Sequence, residues 1–325
     1  MSTNEFANSV ILITGGTGSL GKKFIEHALE HLGPSTIIVY SRDELKQFEL
    51  REYFNRDPRI RWVIGDIRDR ERLSSAMHGV DFVVHAAALK QVDTAEVNAY
   101  EYVRTNVTGS QNVIDAAVAA KVRKVVALST DKASSPVNLY GASKLCADKL
   151  FTSANMDPHN QHTKFSVVRY GNVLGSRGSV VPLFRRLAAE GKPLPITDKR
   201  MTRFWITLDQ AVDFIVNAFV HMQGSELFVP RIPSMRVVDL VEAIAPGAIT
   251  HEVGLRPGEK LHEEMISEVD AVRTYKRGDR YIMLPQSGRL DEDMPMVGRL
   301  PDGFNYRSDT NDQWLSVAEI QELIA

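Results

Sequence analysis

A single cysteine, Cys146, stands in 325 residues. One thiol excludes an internal disulfide and fits a reducing compartment; Cys146 itself is expected to be a small buried hydrophobe. No apolar run approaches the roughly 20 residues that a membrane helix needs. Neither sign of charge dominates, since 39 Lys and Arg face 41 Asp and Glu for a net charge of -2. No global field therefore draws nucleic acid or an anionic membrane. Repeats and low-complexity segments are missing too. The start, Met1–Ser9, is short, polar and without a basic region, so no signal peptide is expected. His262-Glu-Glu264 lacks the spacing of a His-Glu-x-x-His metal site, and no metal is expected. What is left is a soluble, cytoplasmic chain, 43% hydrophobic, long enough for two domains at about 150 residues each.

Strand and helix patterns alternate through the first half. Val10-Ile-Leu-Ile13 reads as a buried strand, Thr14-Gly-Gly-Thr-Gly-Ser-Leu-Gly21 follows, and an amphipathic helix runs to about His31. These glycines fit GxGxxG from Gly16 and GxxGxxG from Gly15. Such spacing permits a tight turn and lets backbone amides approach a pyrophosphate at a helix N-terminus. Gly15, Thr17, Gly18, Ser19, Leu20 and Gly21 are thus candidates for a dinucleotide. The next strand, Thr36–Tyr40, ends in Ser41-Arg42, with Lys46 one helical turn on. A hydroxyl and two cations where an NAD site usually has an acid suit a 2′-phosphate, so NADP is the expected cofactor. Asp43 is expected to cap the following helix.

Arg61–Ile64 ends in Gly65-Asp66-Ile67, where Asp66 faces an adenine. Asp81–Val84 ends in His85-Ala86-Ala87-Ala88-Leu89-Lys90, whose small residues admit a cofactor and whose one cation points to substrate. Glu96–Ala120 reads as one long helical region carrying Asn106. The pattern predicts an α/β fold, a Rossmann-like doubly wound parallel sheet, with ligands at the carboxyl ends of its strands.

The stretch Ser129–Lys144 carries the chemistry. The apolar strand Lys124–Leu128 runs into Ser129-Thr130-Asp131-Lys132, four residues able to bond or move protons. Tyr140 and Lys144, four apart at a helix start, share a face. A free phenol is a poor base at neutral pH, and an ammonium one turn away is expected to lower its pKa.

A sixth strand, Lys164–Val168, ends in Arg169-Tyr-Gly-Asn172-Val173. Beyond it the alternation stops and loops multiply. Residues 1–173 are read as the NADP-binding domain and 174–325 as a smaller α/β substrate-binding C-terminal domain, with some exchange of chain between them. Arg177, Arg203 and Arg256 there suit phosphate oxygens.

With these residues assembled, the chain resembles the extended short-chain dehydrogenase/reductase superfamily, and within it the inverting UDP-N-acetylglucosamine 4,6-dehydratases of the pseudaminic acid route. The resemblance rests on Ser129-Thr-Asp-Lys-Ala133, Asn138-Leu-Tyr-Gly-Ala-Ser-Lys144, Ala88-Leu-Lys90, Arg169-Tyr-Gly-Asn-Val173, Thr202-Arg-Phe204 and Arg256-Pro-Gly-Glu-Lys260. It implies that Tyr140 takes the proton of the sugar 4-hydroxyl, Thr130 bonds that hydroxyl, and Lys144 holds the nicotinamide ribose. It also implies that Lys132, with a lowered pKa, and Asp131, if protonated, act at C5 and C6. Which of the two is acid and which base stays open, because neighbours on a strand point to opposite faces unless the strand has turned. The same resemblance implies Ala86, Ala87, Asn106 and Val173 at the cofactor, Lys90, Asn172, Thr197, Met201, Arg203, Arg256 and Glu259 at a UDP-sugar, and a homo-oligomer. Epimerases and retaining dehydratases share the fold and are the rival readings; a non-catalytic NADP-sensing protein is the rival of another class.

Overall fold

The strand Val10–Thr14 (β1) is buried along almost its whole length, as a strand must be when helices cover both faces of its sheet. The computed structural model describes residues 3–175, 180–285 and 298–324, so Arg177 lies outside the described residues. Parallel to β1 run Thr36–Ser41 (β2), Ile60–Ile64 (β3), Phe82–His85 (β4), Lys124–Thr130 (β5) and Lys164–Tyr170 (β6). They lie in the order β3-β2-β1-β4-β5-β6, which places the switch point between β1 and β4. Beyond β6 the sheet gains the parallel strand Leu227–Pro230 and then the antiparallel pair Arg280–Met283 and Thr274–Arg277, making nine strands.

A second, smaller apolar core gathers Phe184, Leu194, Ile196, Trp205, Met235 and Leu240 beside the carboxyl edge of this sheet. Around it lie a three-stranded sheet of Asn172–Val173, Thr202–Ile206 and Ser234–Arg236, and the pair Leu194–Ile196 with Thr250–Glu252. The chain crosses between the cores more than once. Helix Leu208–His221 and the strand after it return to the large sheet before the chain goes back to the small one.

Two sequence expectations are corrected here. The region Glu96–Ala120 is not one helix: it is built from Val92–Val97, Ala99–Tyr102, a π-helical stretch Val103–Thr108 and Gly109–Ala119. Asn98 leaves helical geometry (φ -123°, ψ 40°) and breaks the run. Cys146 is exposed rather than buried. The buried face of helix Leu139–Ser153 is Gly141, Lys144, Ala147, Asp148 and Phe151, and Cys146 sits on its opposite side. Among the described residues no helix is long and apolar enough to cross a membrane.

Candidate active site

A cleft of about 1420 Å³ runs along the carboxyl ends of β1–β6 and is closed on its other side by the small core. Its first end is made by backbone. Gly15 takes φ +67°, donates its amide to Tyr40 O (2.9 Å), and stands where a Cβ would lie 2.9 Å from the backbone of Ala87. Helix α1 (Ser19–His27) starts there with Gly18 as its N-cap, which offers no side-chain bond, and the helix N-terminus at the cleft suits an anion. Gly15, Thr17, Gly18, Ser19, Leu20, Gly21, Ser41, Arg42, Lys46, Asp66, Ile67, Ala86 and Ala87 all line this end. Arg42 is half exposed at 3.5 Å from Asp66, and Lys46 pairs with Asp43 at 2.6 Å. Asp43 also caps the helix Glu44–Tyr53 by accepting from Lys46 N. Burial pushes the Asp66 carboxyl up, but Arg68 and Arg42 outweigh it and hold it below the usual range. These residues fit a dinucleotide. Asn106 is the exception: it is buried away from the cleft, its amide spent on both backbone groups of Leu89 (2.9 Å each) and on Ser143. It positions the loop after β4 and the helix of Tyr140, and does not line the cleft.

The second end is made by side chains. β5 stops at Thr130, and Asp131–Ala133 form a 3-10 turn, so the strand has turned where Asp131 and Lys132 need it to. Asn138 then caps helix Leu139–Ser153, accepting from Gly141 N at 2.8 Å. A Cβ on Gly141 would lie 2.2 Å from Lys132 O; only glycine lets the helix sit against the turn. Thr130 donates to Asp131 Oδ1 (2.9 Å), and Lys132 Nζ lies 3.2 Å from that same oxygen. Lys144 is buried and lines the cleft.

The protonation states differ from those expected. Burial drives the Tyr140 phenol up to about 12; Lys132 and the Thr130 hydroxyl oppose it, so the cation that acts on the phenol is chiefly Lys132 rather than Lys144. Burial lowers Lys144. It would lower Lys132 as well, but Asp131 and Glu263 outweigh it and hold that ammonium charged, the reverse of the sequence expectation. Burial raises Asp131, in the direction of a carboxylic acid.

Glu263 is the residue that sequence reasoning misses. It is buried, and its Oε1 stands 2.9 Å from Lys132 Nζ. In the sequence it stands out only as part of His262-Glu-Glu264, which has no metal-ligand spacing and gives no sign of a lysine 131 positions away. Its loop is tied to the catalytic turn by Asn138 Nδ2 donating to Gly258 O (2.7 Å) and Lys260 Nζ donating to Ser134 O (2.6 Å).

Lys90, Asn172, Val173, Thr197, Met201, Arg203, Arg256 and Glu259 line the rest of the cleft. Arg203 is buried, and its fork donates to the carbonyls of Thr202, Lys260 and Leu261. It holds the 256–263 loop in place, and its donors are spent before any phosphate arrives. Arg256 is exposed and paired with Glu259 at 3.2 Å, so, unlike that of Arg203, its guanidinium is able to turn to a diphosphate.

A doubly wound sheet with a glycine loop at β1 and a Tyr-x-x-x-Lys pair beyond β5 defines an extended short-chain dehydrogenase/reductase. The family model described as polysaccharide biosynthesis protein matches residues 11–285. An inverting UDP-N-acetylglucosamine 4,6-dehydratase of Campylobacter jejuni is 52% identical over 98% of each chain. Among solved structures, Pen from Bacillus thuringiensis superposes with a TM-score of 0.90 at 41% identity, covering 98% of each chain. A dTDP-glucose 4,6-dehydratase of Streptomyces venezuelae with NAD bound gives 0.70 at 26% identity, over 78% of this chain and 86% of that one. The chain belongs to the polysaccharide biosynthesis protein family, on the branch that holds the inverting UDP-N-acetylglucosamine 4,6-dehydratases.

Proposed function

We propose that this protein is a UDP-N-acetylglucosamine 4,6-dehydratase that inverts C5, with NADP as its cofactor. The observation that carries the reading is the sharing of one cleft by Tyr140, Thr130 and Lys144 with the Asp131–Lys132 pair. An epimerase needs only the first group, because it breaks no C–O bond. When bound, a nicotinamide supplies reversible hydride acceptance, between C4 and C6 of the sugar. The other steps fall to the chain. Thr130 and Tyr140 orient the 4-hydroxyl, and Tyr140 takes its proton. Burial keeps the phenol protonated in the free protein. Loss of that proton therefore draws on cationic charge brought into the cleft with the ligands. Asp131 donates to the departing 6-hydroxyl, and Lys132, once it has given up a proton, removes that of C5. Lys144 binds the ribose of the cofactor.

NADP is favoured over NAD by Arg42 and Lys46, the only cations lining the adenosine end of the cleft among the described residues. The division of labour between a cofactor domain, 1–173, and a UDP-sugar domain, 174–325, with chain exchanged between them where 227–230 and 274–283 join the large sheet, is part of the same reading. Arg256, Asn172, Thr197 and Lys90 serve the sugar nucleotide.

The test is incubation with UDP-N-acetylglucosamine in deuterated water. The expected product has lost water, carries a 4-ketone and a C6 methyl group, and holds solvent deuterium at C5. A C4 epimer with no loss of water and no deuterium would overturn the reading in favour of an epimerase.

A further inference from the structure

Lys132 has two carboxylates within reach and needs only one. Its Nζ lies 2.9 Å from Glu263 Oε1 and 3.2 Å from Asp131 Oδ1. Arg203 Nε stands behind Glu263 at 3.8 Å, so the row reads carboxyl, ammonium, carboxylate, guanidinium. The two carboxyl groups are not equivalent. Glu263 faces cations on two sides. Burial alone would raise it, but Lys132 and Arg203 outweigh burial and keep it ionised. Among the described residues Asp131 has one cation at bonding distance, Lys132, and it receives its hydrogen bonds from Thr130 and Lys132 on Oδ1. Its other oxygen, Oδ2, is buried with no hydrogen-bond partner among the described residues, as is Oε2 of Glu263, where two flanking cations offset the cost; Asp131 lines the cleft and Glu263 does not. An ionised carboxylate left with one bare buried oxygen is costly. A carboxylic acid with its proton on Oδ2 has no protein acceptor to lose it to, and the remaining direction is the substrate.

We propose, resting on the dehydratase reading, that Glu263 is the counter-ion of Lys132 and thereby a positioning residue for Asp131. By neutralising the ammonium it leaves Asp131 free to keep a proton, which makes Asp131 the acid for the departing C6 hydroxyl. In that step the C6–O bond breaks, its electron pair leaves with the oxygen, and the Asp131 proton completes a water molecule. Lys132 first releases one ammonium proton to solvent; the amine so formed takes the C5 proton, and the C–H electrons form the C5–C6 double bond. Glu263 touches neither the sugar nor the cofactor in this scheme. Without it, Lys132 would claim Asp131 as its only carboxylate partner, and the acid would be lost.

The experiment compares wild type with Glu263→Gln on two substrates, UDP-N-acetylglucosamine and its 6-deoxy-6-fluoro analogue, whose fluoride leaves without a proton. On the natural substrate, kcat of Glu263→Gln is expected to fall at least about tenfold, and at most by the roughly 10²- to 10⁴-fold of a lost general acid, with KM within about twofold. On the fluoro analogue the two proteins are expected to run within about twofold of each other, because no acid is needed. Equal rates for wild type and Glu263→Gln on the natural substrate would overturn the proposal. So would an equal loss on both substrates, which would make Glu263 a general support of the fold. Glu263→Asp, which keeps the charge, is expected to recover part of the loss on the natural substrate, and no recovery would count against a counter-ion. A wild-type protein that makes no 6-deoxy-4-keto product would sink the dehydratase reading itself, a failure separable from that of Glu263.

Discussion

The two ends of the cleft are built by opposite means. The dinucleotide end is assembled from strand ends in chain order, by backbone amides and small residues, with close approaches such as Gly15 against Ala87 and Gly21 against Gly16. The elimination end is a cluster of charged side chains from three distant parts of the chain, Asp131 and Lys132, Arg203, and Glu263. One end is shaped by sterics and the other by charge. Substitutions should therefore fail differently at each: loss of binding or stability at the first, and loss of a chemical step with binding kept at the second.

The sharpest separation comes from Tyr140→Phe. It removes one hydroxyl, and kcat should fall by about 10²- to 10⁴-fold, as for loss of an acid–base group. Cofactor affinity, read by fluorescence titration, should stay unchanged. Turnover at the wild-type rate would remove Tyr140 from the chemistry and erase the contrast. Gly141→Ala tests whether the elimination end also has a steric requirement. Its Cβ would meet Lys132 O at 2.2 Å, and the cost should be about 1–3 kcal/mol, as for overpacking, read as a lower Tm. Arg42→Ala belongs to the other end, and should weaken NADP about tenfold, roughly the worth of one charge-assisted hydrogen bond, while leaving NAD almost unaffected. Equal weakening of both would end the case for a 2′-phosphate.

A pH prediction follows from His85, which lies under the glycine loop, with Nδ1 2.8 Å from Thr14 Oγ1. Burial first, and then Lys144, push its imidazole down to about 3. The unfolded chain, with an ordinary histidine near 6.5, binds a proton that the folded chain refuses between these values. Stability should therefore fall as pH drops from about 6.5 toward about 3, and denaturant midpoints across that window check it. His85→Asn should flatten the slope. The smallest effect is expected at Cys146, exposed on the side of its helix opposite the buried face. Cys146→Ser should change stability by no more than about 0.5 kcal/mol, measured by the same denaturation.

The same contrast separates what the amino-acid sequence makes legible from what it hides. Everything made by local sequence is legible: β1 and its glycines, the order of strand and helix, and Tyr140 and Lys144 one turn apart. These depend on neighbours within a few positions. Glu263 is not legible, because its partner is fixed by a loop that Asn138, Lys260 and Arg203 tie down across the cleft, and no spacing rule encodes that. The charge state of Lys132 is hidden for the same reason, since sequence suggests crowding by cations and two carboxylates are what surround it. Asn106 stands out in the sequence as important, but its place does not. A buried amide that bonds to two backbone groups looks, in sequence, no different from one that meets a ligand. Cys146 turns on helix phase, which a single residue cannot reveal.

The contact of Gly141 with the Lys132 carbonyl carries one more consequence. It welds the phenol and the amine onto a single rigid block, so the spacing between the oxidising and the eliminating stations is set by main chain and cannot drift. A relative that handles a sugar of different bulk must then adapt in the 256–263 loop or in the small core, where side chains meet the ligand. The machinery itself is free to stay the same while its diet changes.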